Sequence, residues 1–177
     1  LVVTSVSARD RNKDRGVDLR GLDWVEDPVE LAKAANVDVV VEVIGGSEGP
    51  AKNLVVAAIA EGKSVVTANK ALIAHHGADL GAAAEGAKVA LNFEAAVAGG
   101  IPVIKLLREG LAANANDHVF GILNGTCNYI LTEMEKTGRG FDEVLADAQA
   151  LGYAEADPTF DVDGIDTAHK LAILASV

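Results

Sequence analysis

Cysteine is nearly missing from this chain of 177 residues: Cys127 stands alone, so no intrachain disulfide can form and a reducing compartment fits. Aromatic residues make up only 4%, too few for the interior of a β-sandwich, while abundant alanine, valine and glycine favour helices packed closely on a sheet. Positive charge is also short. With 15 Lys and Arg against 26 Asp and Glu, the net charge is −11, which argues against binding nucleic acid because that needs clustered cations. A dinucleotide site stays open, since local backbone N–H groups rather than global charge hold its phosphates. No apolar run reaches the roughly 18 residues of a membrane span, and the start lacks the basic and apolar regions of a secretory leader. A cytoplasmic protein without membrane partners is expected.

What is present reads as an ordinary globular balance, half apolar and 23% charged, in a chain long enough for one large domain or two small ones. Leu1–Val6 is already an apolar run, and Leu171–Val177 is a helical pattern without a C-cap. Both ends read as cuts through structure, so a fragment is expected. Valine-rich runs predict strands at Leu1–Ser7, Asp38–Ile44, Ser64–Thr67, Lys88–Phe93 and Asp117–Leu123. Between them, helical patterns cover Asp27–Ala35, Pro50–Glu61 and Lys70–Gly86, the last with a break near Gly77. Strands alternating with helices of this length imply βαβ units and a parallel sheet, an α/β class. Beyond Phe93 the texture changes: a glycine-rich stretch, Glu94–Gly100, then helices at Ile101–Glu109, Thr126–Lys136, Phe141–Ala150 and Ile165–Ala175. The domain change is placed near residue 93.

Asp38–Gly46 reads as a buried parallel strand ending in a glycine turn. Ligands of open α/β sheets bind beyond the carboxyl ends of strands, so Gly45 and Gly46 either face a nucleotide or only turn the chain. Thr67, Asn69 and Lys70 end the next strand at the same edge; taken alone, Lys70 reads as a solvated charge. The small residues of Glu94–Pro102 let carbonyls converge as a hard monovalent cation requires, although composition alone favours a hinge. Asp166 and Lys170 lie four apart, on one helix face within salt-bridge reach. An exposed pair is decoration; one enclosed by an apolar helix, behind the acidic link Leu151–Gly164, is costly unless it acts. His75 and His76 cannot share a helix face. His118 and His169 lie outside any ligand-spaced cluster, so no zinc site follows. Cys127, beside an expected N-cap at Thr126, reads as core, with no partner base.

Four stretches, Val66–Leu72, Phe93–Pro102, Gly121–Ile130 and Leu151–Lys170, together resemble homoserine dehydrogenase in order and spacing, and the likeness runs over essentially the whole chain. The resemblance implies a partial Rossmann-like parallel sheet with helices, followed by an α+β catalytic domain. Residues 1–92 would be a partial NAD(P)-binding domain and 93–177 an incomplete catalytic domain. It implies interconversion of L-aspartate 4-semialdehyde and L-homoserine with NADPH or NADH, in threonine, methionine and isoleucine biosynthesis, by a homodimer or homotetramer. Carried over by position, Lys170 is the general acid and Lys70 lies between nicotinamide and substrate. Glu155, Asp166, Asp161 and Tyr153 bind substrate. Gly45, Gly46, Thr67 and Gly152 touch the cofactor, and Glu94, Val97, Gly99 and Ile101 match the sodium site. The glycine-rich pyrophosphate loop of the family is expected before Leu1.

Leu1–Ser7 reads as the family's second strand, whose end lies near the adenine ribose. There Arg9, with Arg11 and Lys13, suits a 2′-phosphate and favours NADP(H), whereas Asp10 favours NAD(H). A solvated charged turn is the plain alternative. Three rival functions are a homoserine dehydrogenase part of a bifunctional aspartokinase polypeptide, another two-domain oxidoreductase of similar layout, which Glu155 through Lys170 disfavours, and a non-catalytic dinucleotide-binding regulatory module. The last has no reason to keep Lys70, Glu155, Asp166 and Lys170 together.

Overall fold

Valine-rich and alanine-rich runs alternate through the first half, and the computed structural model, which describes residues 1–177, folds them as βαβ units. Strand β1 (Ser5–Val6) pairs in parallel with β2 (Asp23–Trp24). A second parallel sheet has the order β3 (Val39–Glu42), β4 (Ser64–Thr67), β5 (Leu91–Asn92). The helices of this unit are α1 (Pro28–Lys33), α2 (Pro50–Ala60) and α3 (Lys70–Ala87). Asp27 caps α1 through the Val29 N–H, and Asn69 caps α3 through the Leu72 N–H; such caps stabilise by about 1 kcal/mol each. Helix α2 lies on β3 and β4, burying Val40, Leu54, Val55, Ala58 and Val65, and each large side chain contributes about 1.5–3 kcal/mol.

The sheet is covered on one face only. Val40 and Glu42 of β3 point inward, while Val39 and Val41 are exposed, so this expected buried strand is buried on one side. The expected break in α3 is absent. Gly77 instead lets Ile73 pack one turn back, where a Cβ would come within 3.2 Å of the Ile73 Cγ2. The glycine-rich stretch contains a single helical turn, α4 (Glu94–Val97). The following helix begins only at α5 (Val103–Lys105) and runs into a π-turn, Leu106–Gly110, because Ile101 precedes a proline and is held out of the helical region.

Contacts divide the chain into two compact units, Leu1–Gly110 and Leu111–Val177. The second is helical: α6 (Gly125–Thr137), α7 (Phe141–Ala150), α8 (Thr159–Val162) and α9 (Ile165–Ala175). Helices α6 and α7 form a hairpin whose turn needs Gly138, in the left-handed region at φ 70°, to close α6 onto the Met134 carbonyl. Ile130, Val144, Ala148 and Ala154 form its core, with Tyr129, Met134 and Leu145 packed around them. The expected strand Asp117–Leu123 is not formed. A strand needs a neighbour for its N–H and C=O groups, and no strand pairs with these residues; Phe120 and Ile122 are exposed. The cap of α6 is Asn124 and not Thr126, whose hydroxyl donates instead to the Tyr153 carbonyl.

Candidate active site

The parallel register sets Glu42 beside Thr67 at the carboxyl ends of β3 and β4. Glu42 is 1% exposed, and a buried carboxylate is stable only when its oxygens are bonded. Its Oε1 accepts the N–H groups of Ile44 (2.7 Å) and Gly45 (3.1 Å), and Oε2 accepts the Thr67 hydroxyl. Thr67 Oγ1 in turn accepts the Asn69 N–H at 2.9 Å, and Asn69 Nδ2 donates to the Gly46 carbonyl at 2.7 Å. Each hydrogen bond to a charged group contributes about 1.5–3 kcal/mol, so the strand ends are bound to the glycine turn. Gly45 and Gly46 have φ of 88° and 84°, where an L side chain is strained. Nothing lies within 4 Å of a Cβ built on Gly45, so its backbone is open to a close-approaching ligand. Sequence reasoning missed Glu42. The signal was there: one acidic residue in a valine run that must bury alternate side chains.

Lys70 opens α3 immediately after its cap. A cation at the first helical turn opposes the helix dipole, so local helix chemistry does not explain it. Arg9 is exposed at the end of the β1 segment. In the cation-suited loop, Glu94 is committed to α5: its Oε1 accepts the Ile104 N–H (2.7 Å) and its Oε2 the Lys105 N–H (3.1 Å). That contact replaces the side-chain cap that Pro102 cannot supply. Val97 is half-buried, and Gly99 and Ile101 are exposed on the same loop.

In the second unit the acidic link folds back on the start of α6. Lys170 Nζ donates to the Leu123 carbonyl at 2.7 Å and to Asp166 Oδ2 at 2.9 Å. The Asp166 side chain is 3% exposed and that of Lys170 19%, so this pair is enclosed. Removing either partner of an enclosed pair costs about 3–5 kcal/mol, against tenths for an exposed one. Asn124 Nδ2 donates to Asp161 Oδ1 (2.8 Å) and Asp166 Oδ2 (2.9 Å), while its Oδ1 accepts the Cys127 N–H at 2.8 Å. Cys127 Sγ donates to the Asp161 carbonyl. Burial pushes the Cys127 thiol up, with Asp161 and Asp166 adding to the shift.

Asp161, Asp166 and Lys170 are thus brought together around Asn124. Gly152 ends α7 in the left-handed region, and Tyr153, ring to ring with Tyr129, lies beside it. Glu155 is exposed, and its backbone carbonyl accepts from Gln149 Nε2. Asn124 was missed as well. Asn-Gly-Thr before an apolar helix signals a cap, but which carboxylates that cap would meet depends on tertiary folding.

Two family models match: "Homoserine dehydrogenase, NAD binding domain" over residues 1–94 and "Homoserine dehydrogenase" over residues 102–177. The homoserine dehydrogenase of Pseudomonas aeruginosa is 62% identical over 151 residues, 85% of this chain and 35% of that protein. That of Mycobacterium tuberculosis is 52% identical over all 177 residues, 40% of that protein. The crystal structure of the Thiobacillus denitrificans homoserine dehydrogenase superposes with a TM-score of 0.89 at 54% identity, covering 96% of this chain and 39% of that one. A hyperthermophilic archaeal homoserine dehydrogenase in complex with NADPH matches with a TM-score of 0.81 at 32% identity, covering 89% of this chain and 48% of its own. The chain spans 35–40% of the length of these two relatives. Mixed α/β in class, with a Rossmann-like first unit, the chain belongs to the homoserine dehydrogenase family.

Proposed function

We propose that this chain carries the core of a nicotinamide-dependent homoserine dehydrogenase, which interconverts L-aspartate 4-semialdehyde and L-homoserine. The carrying observation is the enclosed Lys170–Asp166 pair, with Asp161 and Asn124 around it. Two of the three Lys170 ammonium hydrogens are held, by Leu123 and Asp166. The third serves the carbonyl oxygen of the aldehyde, stabilising the negative charge that develops there and supplying the proton. In the reverse direction Lys170 takes the hydroxyl proton. Glu155, Asp166 and Asp161 would hold the substrate ammonium, with Tyr153 beside them, and Lys70 would serve the nicotinamide and the substrate.

A bound nicotinamide dinucleotide supplies or accepts the hydride. Gly45, Gly46, Thr67, Lys70 and Gly152 would hold it, and the open, positive-φ glycine turn fits such a close approach. NADP(H) is the favoured form, through Arg9. A sodium ion belongs to the loop of Glu94, Val97, Gly99 and Ile101. With the Glu94 carboxylate occupied by α5, the oxygens offered there are main-chain carbonyls, which suit a hard monovalent cation. In this reading residues 1–92 serve the dinucleotide and 93–177 the chemistry. The protein is cytoplasmic and a homodimer or homotetramer, and it acts in threonine, methionine and isoleucine biosynthesis. The bifunctional and regulatory-module alternatives are not favoured by these relatives.

The test is Lys170→Ala in a family-length enzyme carrying this segment. The expected loss is about a hundredfold or more in kcat, with dinucleotide affinity unchanged. A fall of less than about threefold removes Lys170 from the proton transfer.

A further inference from the structure

We infer that Asn124 is a positioning residue for the substrate site: its one side-chain amide holds Asp161 and Asp166 together, so that both face the substrate ammonium as carboxylates. This rests on the reading of Lys170, Asp161 and Asp166 given above. Asn124 is buried and starts α6 in extended conformation, at φ −132° and ψ 118°. Both hydrogens of Nδ2 are used, one on Asp161 from α8 and one on Asp166 from α9. The amide cannot be turned over. Its Oδ1 accepts the Cys127 N–H, and a flip would set that oxygen against two carboxylates and N–H against N–H.

One residue therefore ties the start of α6 to both acidic elements, while the adjoining Leu123 carbonyl takes the Lys170 ammonium. The charged and titratable groups gathered there include Asp161, Asp166, Lys170 and the Cys127 thiol on the Asp161 carbonyl. Two carboxylates set side by side repel, and the paired N–H donors of Asn124 with the ammonium of Lys170 offset that repulsion. A single neutral amide thereby fixes both acidic side chains in place for a cationic substrate.

Asn124→Asp, in a family-length enzyme, keeps the size and the oxygen that caps α6 but replaces both donors with an acceptor. The expected result is a rise of about tenfold or more in KM for L-homoserine, with dinucleotide KM within about twofold. The acid limb of kcat/KM against pH should move up by about one unit, since a carboxylate must now be stripped of a proton. Asn124→Ser also keeps a cap but offers one short hydroxyl in place of the two amide donors; it should move both quantities the same way by less, and it decides the matter if the aspartate variant does not fold. An unmoved homoserine KM and acid limb overturns the role, as does a dinucleotide KM that rises equally. Lys170→Ala, measured alongside, separates the two failures. If kcat collapses there while the Asn124 variants behave as parent, only the role of Asn124 falls; if kcat survives, the reading of the site itself has failed.

Discussion

At the scale of single residues, the informative side chains are polar ones in apolar surroundings. Glu42, Asn124 and Asp166 are nearly inaccessible, and each is bonded to a group that the proposed chemistry uses. Lys170 and Asp166 were legible because helical spacing alone puts them on one face. Cys127 shows the other side: a polar environment that holds a group inactive. Burial and the neighbouring carboxylates hold its thiol above the ordinary range, so its thiolate fraction is reduced at every pH. Iodoacetamide should therefore modify it more slowly than it modifies glutathione at about pH 8, with the rate still climbing where a free thiol has levelled off. Because the unfolded thiol ionises first, it binds fewer protons than the folded one in that range, and stability falls as pH rises through it. An alkylation profile that levels off with free cysteine would contradict this.

At the scale of elements, loops carry the functional differences, and each is organised by its own hydrogen bonds. The segment after β1 is an example. Asp10 Oδ1 accepts the Asn12 N–H at 2.8 Å, and Arg15 donates to the Asp10 and Lys13 carbonyls. The guanidinium carbons of Arg11 and Arg15 lie 5.8 Å and 5.6 Å from the centroid of the Trp24 ring, contacts of about 0.5–1 kcal/mol at exposed sites. Asp10, the residue that spoke for NAD(H), thus spends a carboxylate oxygen on its own turn, while Arg9 stays exposed beside two further arginines. A parent preference for NADPH is expected, and Arg9→Ala should shift the NADPH-to-NADH ratio of kcat/KM toward NADH by about tenfold. A parent that prefers NADH, or a mutant ratio equal to that of the parent, rejects Arg9 as the phosphate partner.

At the scale of the whole molecule, much apolar surface lies open. Val39, Val41 and Val66 form an uncovered sheet face, and Val119, Phe120 and Ile122 stand exposed on a segment without regular secondary structure. No helix is long and apolar enough to cross a membrane. Patches of this kind bind hydrophobic dyes and favour self-association, even in a chain with net charge −11. The 177-residue chain expressed by itself should enhance anilinonaphthalene sulfonate fluorescence strongly and form larger species as its concentration rises. A dye-silent monomer across the concentration range would show that these faces are covered in solution.

Local pattern was sufficient for the βαβ order, the three long helices of the second half and the spacing of Asp166 and Lys170, because each depends on neighbours within a turn or a strand. It was misleading at Asp117–Leu123 and Gly77, where strand formation and helix continuity depend on a pairing partner or a packing neighbour. The cap of α6 was placed two residues late for a related reason: Thr126 and Asn124 are both good capping residues, and the Tyr153 carbonyl claims the threonine hydroxyl. Only the tertiary structure could bring Glu42 to Thr67 across 25 residues and Asn124 to Asp161 and Asp166 across 37 and 42. Those pairings follow from the parallel register of β3 with β4 and from the fold of α8 and α9 onto the start of α6, and neither follows from periodicity within a single element.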